Sequence, residues 1–134
     1  MVDRKRAAIP SWSENEFDHV LDYVLAWGRE DYVSILYLCR RVGLCPGECF
    51  ALTPEAAARA VRERQLIYTG ANDAPHTVGL DDLLTARLKR DLAAAVPGRT
   101  LYLTPGQEAE EAEKQFRAFL RDCFITWEEG ERDD

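Results

Sequence analysis

No two cysteines in this chain stand two residues apart. The four, Cys39, Cys45, Cys49 and Cys123, form no C-x-x-C pair of the redox kind. No signal peptide opens the chain, and no apolar run approaches the ~18 residues of a membrane helix. Reduced thiols in a cytoplasmic protein, with no membrane contact, are the expectation. Basic residues are also in short supply: 17 Lys and Arg stand against 24 Asp and Glu, a formal net charge of −7. Nucleic-acid binding leans on Lys and Arg that displace counterions from phosphates. The balance therefore speaks against a free-standing DNA-binding protein, and for DNA contact that is weak or non-specific. Internal repeats are missing as well.

What is present fits one domain. Apolar residues make up 46% of 134, enough for a single core. Residues 1–12 read as a flexible basic arm carrying Arg4, Lys5 and Arg6 and ending in Ile9-Pro10. Residues 13–127 read as the folded unit, and 128–134 as a solvated acidic tail. Ser13 and Glu16 have capping-box spacing, ahead of Phe17, Val20, Leu21, Val24 and Leu25 at helical intervals. Gly28 ends that helix. A second runs from Glu30 to Val42, with Gly43 in the position after its last turn. Pro46 suits the first turn of a short helix, and Thr53-Pro54 starts an Ala-rich one to about Arg62. The period then changes. Residues 64–69 and 76–80 read as strands around the turn-forming cluster GANDAP. Asp81 caps a helix that turns Leu83, Leu84, Leu88 and Leu92 inward. Thr100–Leu103 is a strand candidate, and Thr104-Pro105 opens a last helix with Phe116, Phe119, Leu120, Cys123 and Phe124 on one stripe. The expected class is α+β, mainly α, with helices packed around a small antiparallel β-hairpin sheet.

The stretch GLCPGECFAL, Gly43 to Leu52, lies between helix and strand. Its Gly43, Leu44, Glu48 and Leu52 match the G-L-R-x-x-E-x-x-x-L pattern of tyrosine recombinases, the phage-integrase family. The segment Gly70 to Leu80, GANDAPHTVGL, has the length of that family's hairpin and keeps Gly70, Val78 and Leu80. The stretch Leu101 to Leu120 is similar to a later segment of some integrases. From about residue 13 to 125, the chain resembles the N-terminal half of the family's catalytic domain.

The resemblance implies sites and also their loss. At the family's first catalytic arginine stands Cys45. A guanidinium fork there would hold two phosphate oxygens; a thiol has no such fork. At the hairpin lysine, the family's general acid, stands Ala71, with Ala74 at a second lysine position. At the hairpin arginine stands His76. The family's His-x-x-Arg is not found: His19 is followed by Val20-Leu21-Asp22, and His76 by Thr77-Val78-Gly79. The nucleophilic tyrosine position is not found either. The resemblance thus implies a catalytically inactive relative of DNA integration and recombination enzymes, a pseudoenzyme from a mobile element without cofactor. It would act through protein contacts, with itself or a related recombinase. The alternatives are a DNA-binding accessory domain and a fragment of a longer, active site-specific integrase.

Other readings attach to the same residues. Glu48 is either a supportive carboxylate or a solvent-facing helix residue. Cys45, at a helix N-terminus, is either a thiol of lowered pKa or an inert loop cysteine. Cys39, Cys45, Cys49 and His76 could be assembled into a zinc site, although the spacing fits poorly and Cys39 and Cys123 fall on apolar stripes. His76 is either an exposed hairpin residue or a phosphate contact when protonated. Glu108 to Glu113 is a solvated helix start or, more sharply, a DNA-mimicking acidic face. Trp12, Trp27 and Trp127 are core residues or members of a contact patch.

Overall fold

The structure, a computed structural model, describes residues 9–10, 12–69, 75–95, 100–103, 107–123 and 129–130. It is mainly helical, with two small antiparallel pairs of strands. Strand β1 (Ile9–Pro10) pairs antiparallel with β4 (Glu129–Gly130). Trp12 follows β1 and is buried at 4% exposure, its ring 6.4 Å from Phe17.

Helix α1 (Glu14–Ala26) starts at Ser13, whose hydroxyl accepts the Glu16 N–H while the Glu16 carboxylate accepts the Ser13 N–H. This reciprocal pair is what the Ser-x-x-Glu spacing predicts. Phe17, Val20, Leu21 and Val24 face the core, but Leu25 is 44% exposed. At 100° per residue Leu25 falls on the far side of Leu21, beside Asp18 and Asp22, outside the buried arc. Helix α2 (Glu30–Tyr37) continues into a π-helical turn, Leu38–Val42. The Gly43 N–H reaches back to the Leu38 carbonyl at 3.1 Å, which widens the last turn and ends the helix.

After the short α3 (Pro46–Phe50) comes α4 (Pro54–Glu63), capped by the Thr53 hydroxyl. Arg64 takes the left-handed conformation (φ 57°), reversing the chain into strand β2 (Gln65–Thr69). β2 pairs antiparallel with β3 (Pro75–Gly79), Leu66 opposite Val78 and Tyr68 opposite His76. The expected hairpin is therefore present, shifted by one residue at three of its four strand boundaries. Leu66 is buried and Ile67 is 40% exposed, so one face of the hairpin packs on α4 and the other meets solvent. Asp81 caps α5 (Asp82–Ala93) through the Leu84 N–H. Leu84 and Leu88 are buried, Leu92 is half-buried and Leu83 is 39% exposed.

Thr100–Leu103 is not a strand. The Leu101 N–H donates to the Leu52 carbonyl at 2.8 Å, and the Tyr102 hydroxyl to Asp91 at 2.7 Å. One backbone bond and one buried hydroxyl pin this segment as a turn, and pinned turns override weak strand propensity. The last helix, α6, runs Ala109–Asp122 and so begins four residues later than Pro105. Its Phe116 is fully buried, with ring centroids 4.9 Å from Tyr32 and 6.1 Å from Phe50. That aromatic cluster ties α6 to α2 and α3 at the centre of the core. No helix among the described residues is long and apolar enough to cross a membrane.

Candidate functional site

The segment from Gly43 to Leu52 is a tight, capped turn. Gly43 sits at φ 92°, ψ 18°, a left-handed conformation that a Cβ disfavours. Leu44 then plunges into the core at 1% exposure. Cys45 is extended and caps α3, with Pro46 in the first turn. The Cys45 N–H donates to Glu48 Oε1 at 2.9 Å, and the Cys45 carbonyl accepts the N–H groups of Glu48 (3.0 Å) and Cys49 (3.2 Å). Glu48 is thus half-buried and structural: its carboxylate satisfies a backbone donor at the head of the helix that would otherwise lack a partner. Leu52, 9% exposed, accepts from Leu101 through its carbonyl.

The Cys45 thiol does not have the lowered pKa expected of a helix N-terminus. Burial pushes it from its ordinary 9.0 up to about 11, although the Glu48 N–H favours the thiolate. The helix has five residues, too short for its dipole to offset desolvation beside a carboxylate. At neutral pH the position is an uncharged, unreactive thiol. The Cys39 and Cys49 sulfurs lie 3.9 Å apart in the core, and burial raises the Cys49 thiol well above its ordinary range. Cys123 is half-buried at the end of α6. His76 does not join the thiols; its ring stacks on Tyr68 across the hairpin, centroids 5.4 Å apart. Among the described residues no group of three or more His, Cys, Asp or Glu side chains is placed to hold a metal ion.

His76 is half-buried rather than exposed, and its Nε2 is buried without a hydrogen-bond partner among the described residues. Gly70, Ala71 and Ala74 lie outside the described residues. Helix α3 packs against the π-helical turn and α6, while the hairpin packs against α4.

Sequence reading did not anticipate two features. The first is Glu113 on α6, whose Oε1 lies 3.0 Å from where a Cβ on Gly47 would stand. Glu113 and Glu48 together flank the first turn of α3, Glu113 also pairing with Arg117 at 3.3 Å. The Glu-rich helix start gave a clue to the charge, but not to what it covers. The second concerns the cluster Arg87, Lys89 and Arg90, which reads as a basic patch. Arg87 is 17% exposed and donates to the Ser34 hydroxyl, the Glu30 carbonyl and the Glu30 carboxylate, while Arg90 pairs with Glu30 at 3.1 Å. Partners 57 residues apart leave no trace in local spacing. A cleft of about 240 Å³ beside this network is lined by Glu30, Asp31, Arg90, Asp91 and Tyr102. Its charges are paired: Asp31 with Arg29 at 3.0 Å, and Asp91 accepting from Tyr102. No acid and base are left poised against each other there.

No protein-family model, no curated protein and no solved structure matches the chain.

Proposed function

We propose that this chain is an integrase-like protein of DNA-recombination ancestry that performs no strand chemistry and acts through protein contacts. The observation that carries the reading is the Gly43–Leu52 turn. A left-handed glycine, a buried leucine, a capped short helix and a carboxylate folded back onto its first N–H follow in the order of the family motif, ahead of an antiparallel hairpin. Each motif residue present has a structural task, which explains how the motif persists without its arginine.

The chemistry of the site supports inactivity. Phosphoryl transfer needs fixed positive charge on the equatorial oxygens. Cys45 is neutral at physiological pH, and Glu48 brings a carboxylate to the same turn. A phosphate would meet repulsion where the family offers a guanidinium. Arg41 is paired with Asp81 at 2.7 Å, and Arg64 with Asp82, so cations near the hairpin base are already occupied.

Incubation with nicked suicide duplexes, followed by denaturing electrophoresis, tests the reading. No covalent adduct is expected on any duplex, and labelled duplexes are expected to bind weakly and without sequence preference at physiological salt. An adduct on any tyrosine refutes inactivity. Sub-micromolar, sequence-selective binding replaces the contact-protein reading with a DNA-binding accessory.

A further inference from the structure

Helix α1 contains no Lys or Arg in its thirteen residues. Along one edge of its solvent face Glu14, Asp18 and Asp22 recur every four residues, and none makes an ion pair among the described residues. Along the other edge stand Tyr23 and Trp27, one turn apart and 57% and 66% exposed. Trp27 has a single ring neighbour among the described residues, an edge contact to Phe119 at 6.4 Å. Leu25 adds a 44% exposed side chain beside the acidic edge. The two aromatic rings leave on the order of 250 Å² in water, across the solvent face from the carboxylate row, of which Asp22 is nearest, about 100° around the helix from Tyr23. Trp12, by contrast, is buried at 4% exposure, so the fold does have a place for an indole.

We infer that this face of α1 is a docking surface for a basic, amphipathic protein segment. The inference rests on the contact-protein reading above and names the partner's chemistry. Tyr and Trp are the residues that anchor interfaces, because each buries a large rigid area at low entropic cost. A one-sign row of charges on the opposite edge of the same solvent face selects a partner of opposite sign and steers its approach, its long Lys or Arg side chains reaching over from the aromatic edge. The fitting segment carries apolar side chains that lie on Tyr23 and Trp27, with Lys or Arg that reach Asp18 and Asp22. Nucleic acid is excluded from this face by the same carboxylates. A second copy of the chain fits poorly, since a two-fold contact sets the acidic row against itself.

The probe is a synthetic amphipathic helix of leucine and lysine, about 14 residues long, and a control with glutamate in place of lysine. Both are titrated into the ¹⁵N-labelled full chain. Saturable shifts confined to α1 and the neighbourhood of Phe119 are expected with the lysine peptide alone. Tyr23→Ala with Trp27→Ala should weaken binding at least tenfold, and Asp18→Lys with Asp22→Lys should reverse the preference to the glutamate peptide. These side chains are exposed, and unchanged melting temperatures show that the variants still fold. Absence of saturable binding, shifts centred elsewhere, or indifference to the Tyr23 and Trp27 substitutions overturns the inference. Concentration-dependent dimerisation of the chain that Trp27→Ala abolishes also overturns it, by giving the face to a second copy. The nicked-duplex assay does not involve α1, so failure here leaves inactivity standing, and a covalent adduct there leaves this result standing.

Discussion

Replacing Glu48 by alanine should destabilise the fold through one backbone group. The Glu48 carboxylate accepts the Cys45 N–H at 2.9 Å in a half-buried turn. Losing a cap bond of this kind costs about 1 kcal/mol, and losing a carboxylate at a helix N-terminus costs about 0.5 kcal/mol more. With an unfolding entropy typical of a chain this long, about 1.5 kcal/mol lowers the melting temperature by about 5 °C. Glu48→Gln keeps an amide oxygen as acceptor and loses only the charge, so a fall of about 2 °C is expected. Thermal denaturation followed by circular dichroism gives both numbers, and amide hydrogen exchange localises the effect. The Cys45 amide should exchange faster in Glu48→Ala, while amides in the middle of α5 keep their protection relative to global stability. Unchanged Cys45 exchange, or a glutamine variant as unstable as the alanine variant, would refute the capping role.

Four further outcomes are expected. Phe116→Ala empties the junction of Tyr32 and Phe50 and should cost about 3–5 kcal/mol, a large share of a typical domain's stability; denaturant unfolding measures it. Gly43→Ala forces a Cβ into the left-handed region at φ 92° and should cost about 1–2 kcal/mol in the same assay. The Cys45 thiol is raised on folding, so its contribution to stability is complete below pH 9.0 and is lost as pH climbs toward about 11. The native chain should therefore lose stability across that window, less so in Cys45→Ser. Alkylation of Cys45 at pH 8 should run about 100-fold slower than that of a free thiol; equal rates would contradict the burial argument.

The local signals were legible in the sequence and the long-range ones were not. Ser13 with Glu16, Pro46, Thr53-Pro54 and Asp81 each marked a helix start that the structure contains, because a cap is decided within four residues. The change of period at residue 64 marked the hairpin for the same reason. Thr100–Leu103 failed because its conformation is set by Leu52 and Asp91 rather than by its own side chains. Leu25 and Leu83 failed because an apolar residue at the edge of a helical arc has no local marker of which side it falls on. At the site, spacing left Glu48 open between a supportive carboxylate and a solvent-facing residue, and only the fold shows it bonded to the Cys45 N–H; the raised Cys45 thiol depended on the depth of its burial. The approach of Glu113 to Gly47 depended on how α6 packs. Arg87 and Arg90, both paired with Glu30, teach the same lesson for charge: composition counts cations, and only the fold shows which are occupied.

The central claim, an integrase-like arrangement emptied of its cations, is tested most directly by putting the cations back. Cys45→Arg, Ala71→Lys and His76→Arg together add three charges at the positions the motif assigns. Ala26→Lys, Ala58→Lys and Ala86→Lys add three at exposed helical positions. Ala71→Lys with His76→Arg alone guards against destabilisation by the arginine at half-buried Cys45. Duplex affinity is measured for each at two salt concentrations. If the motif positions converge on one phosphate, the restored triple binds at least tenfold more tightly than the control triple, with a steeper salt dependence, and the double falls between them. Equal gains from the restored and control sets would contradict the account, because charge alone would then explain the binding.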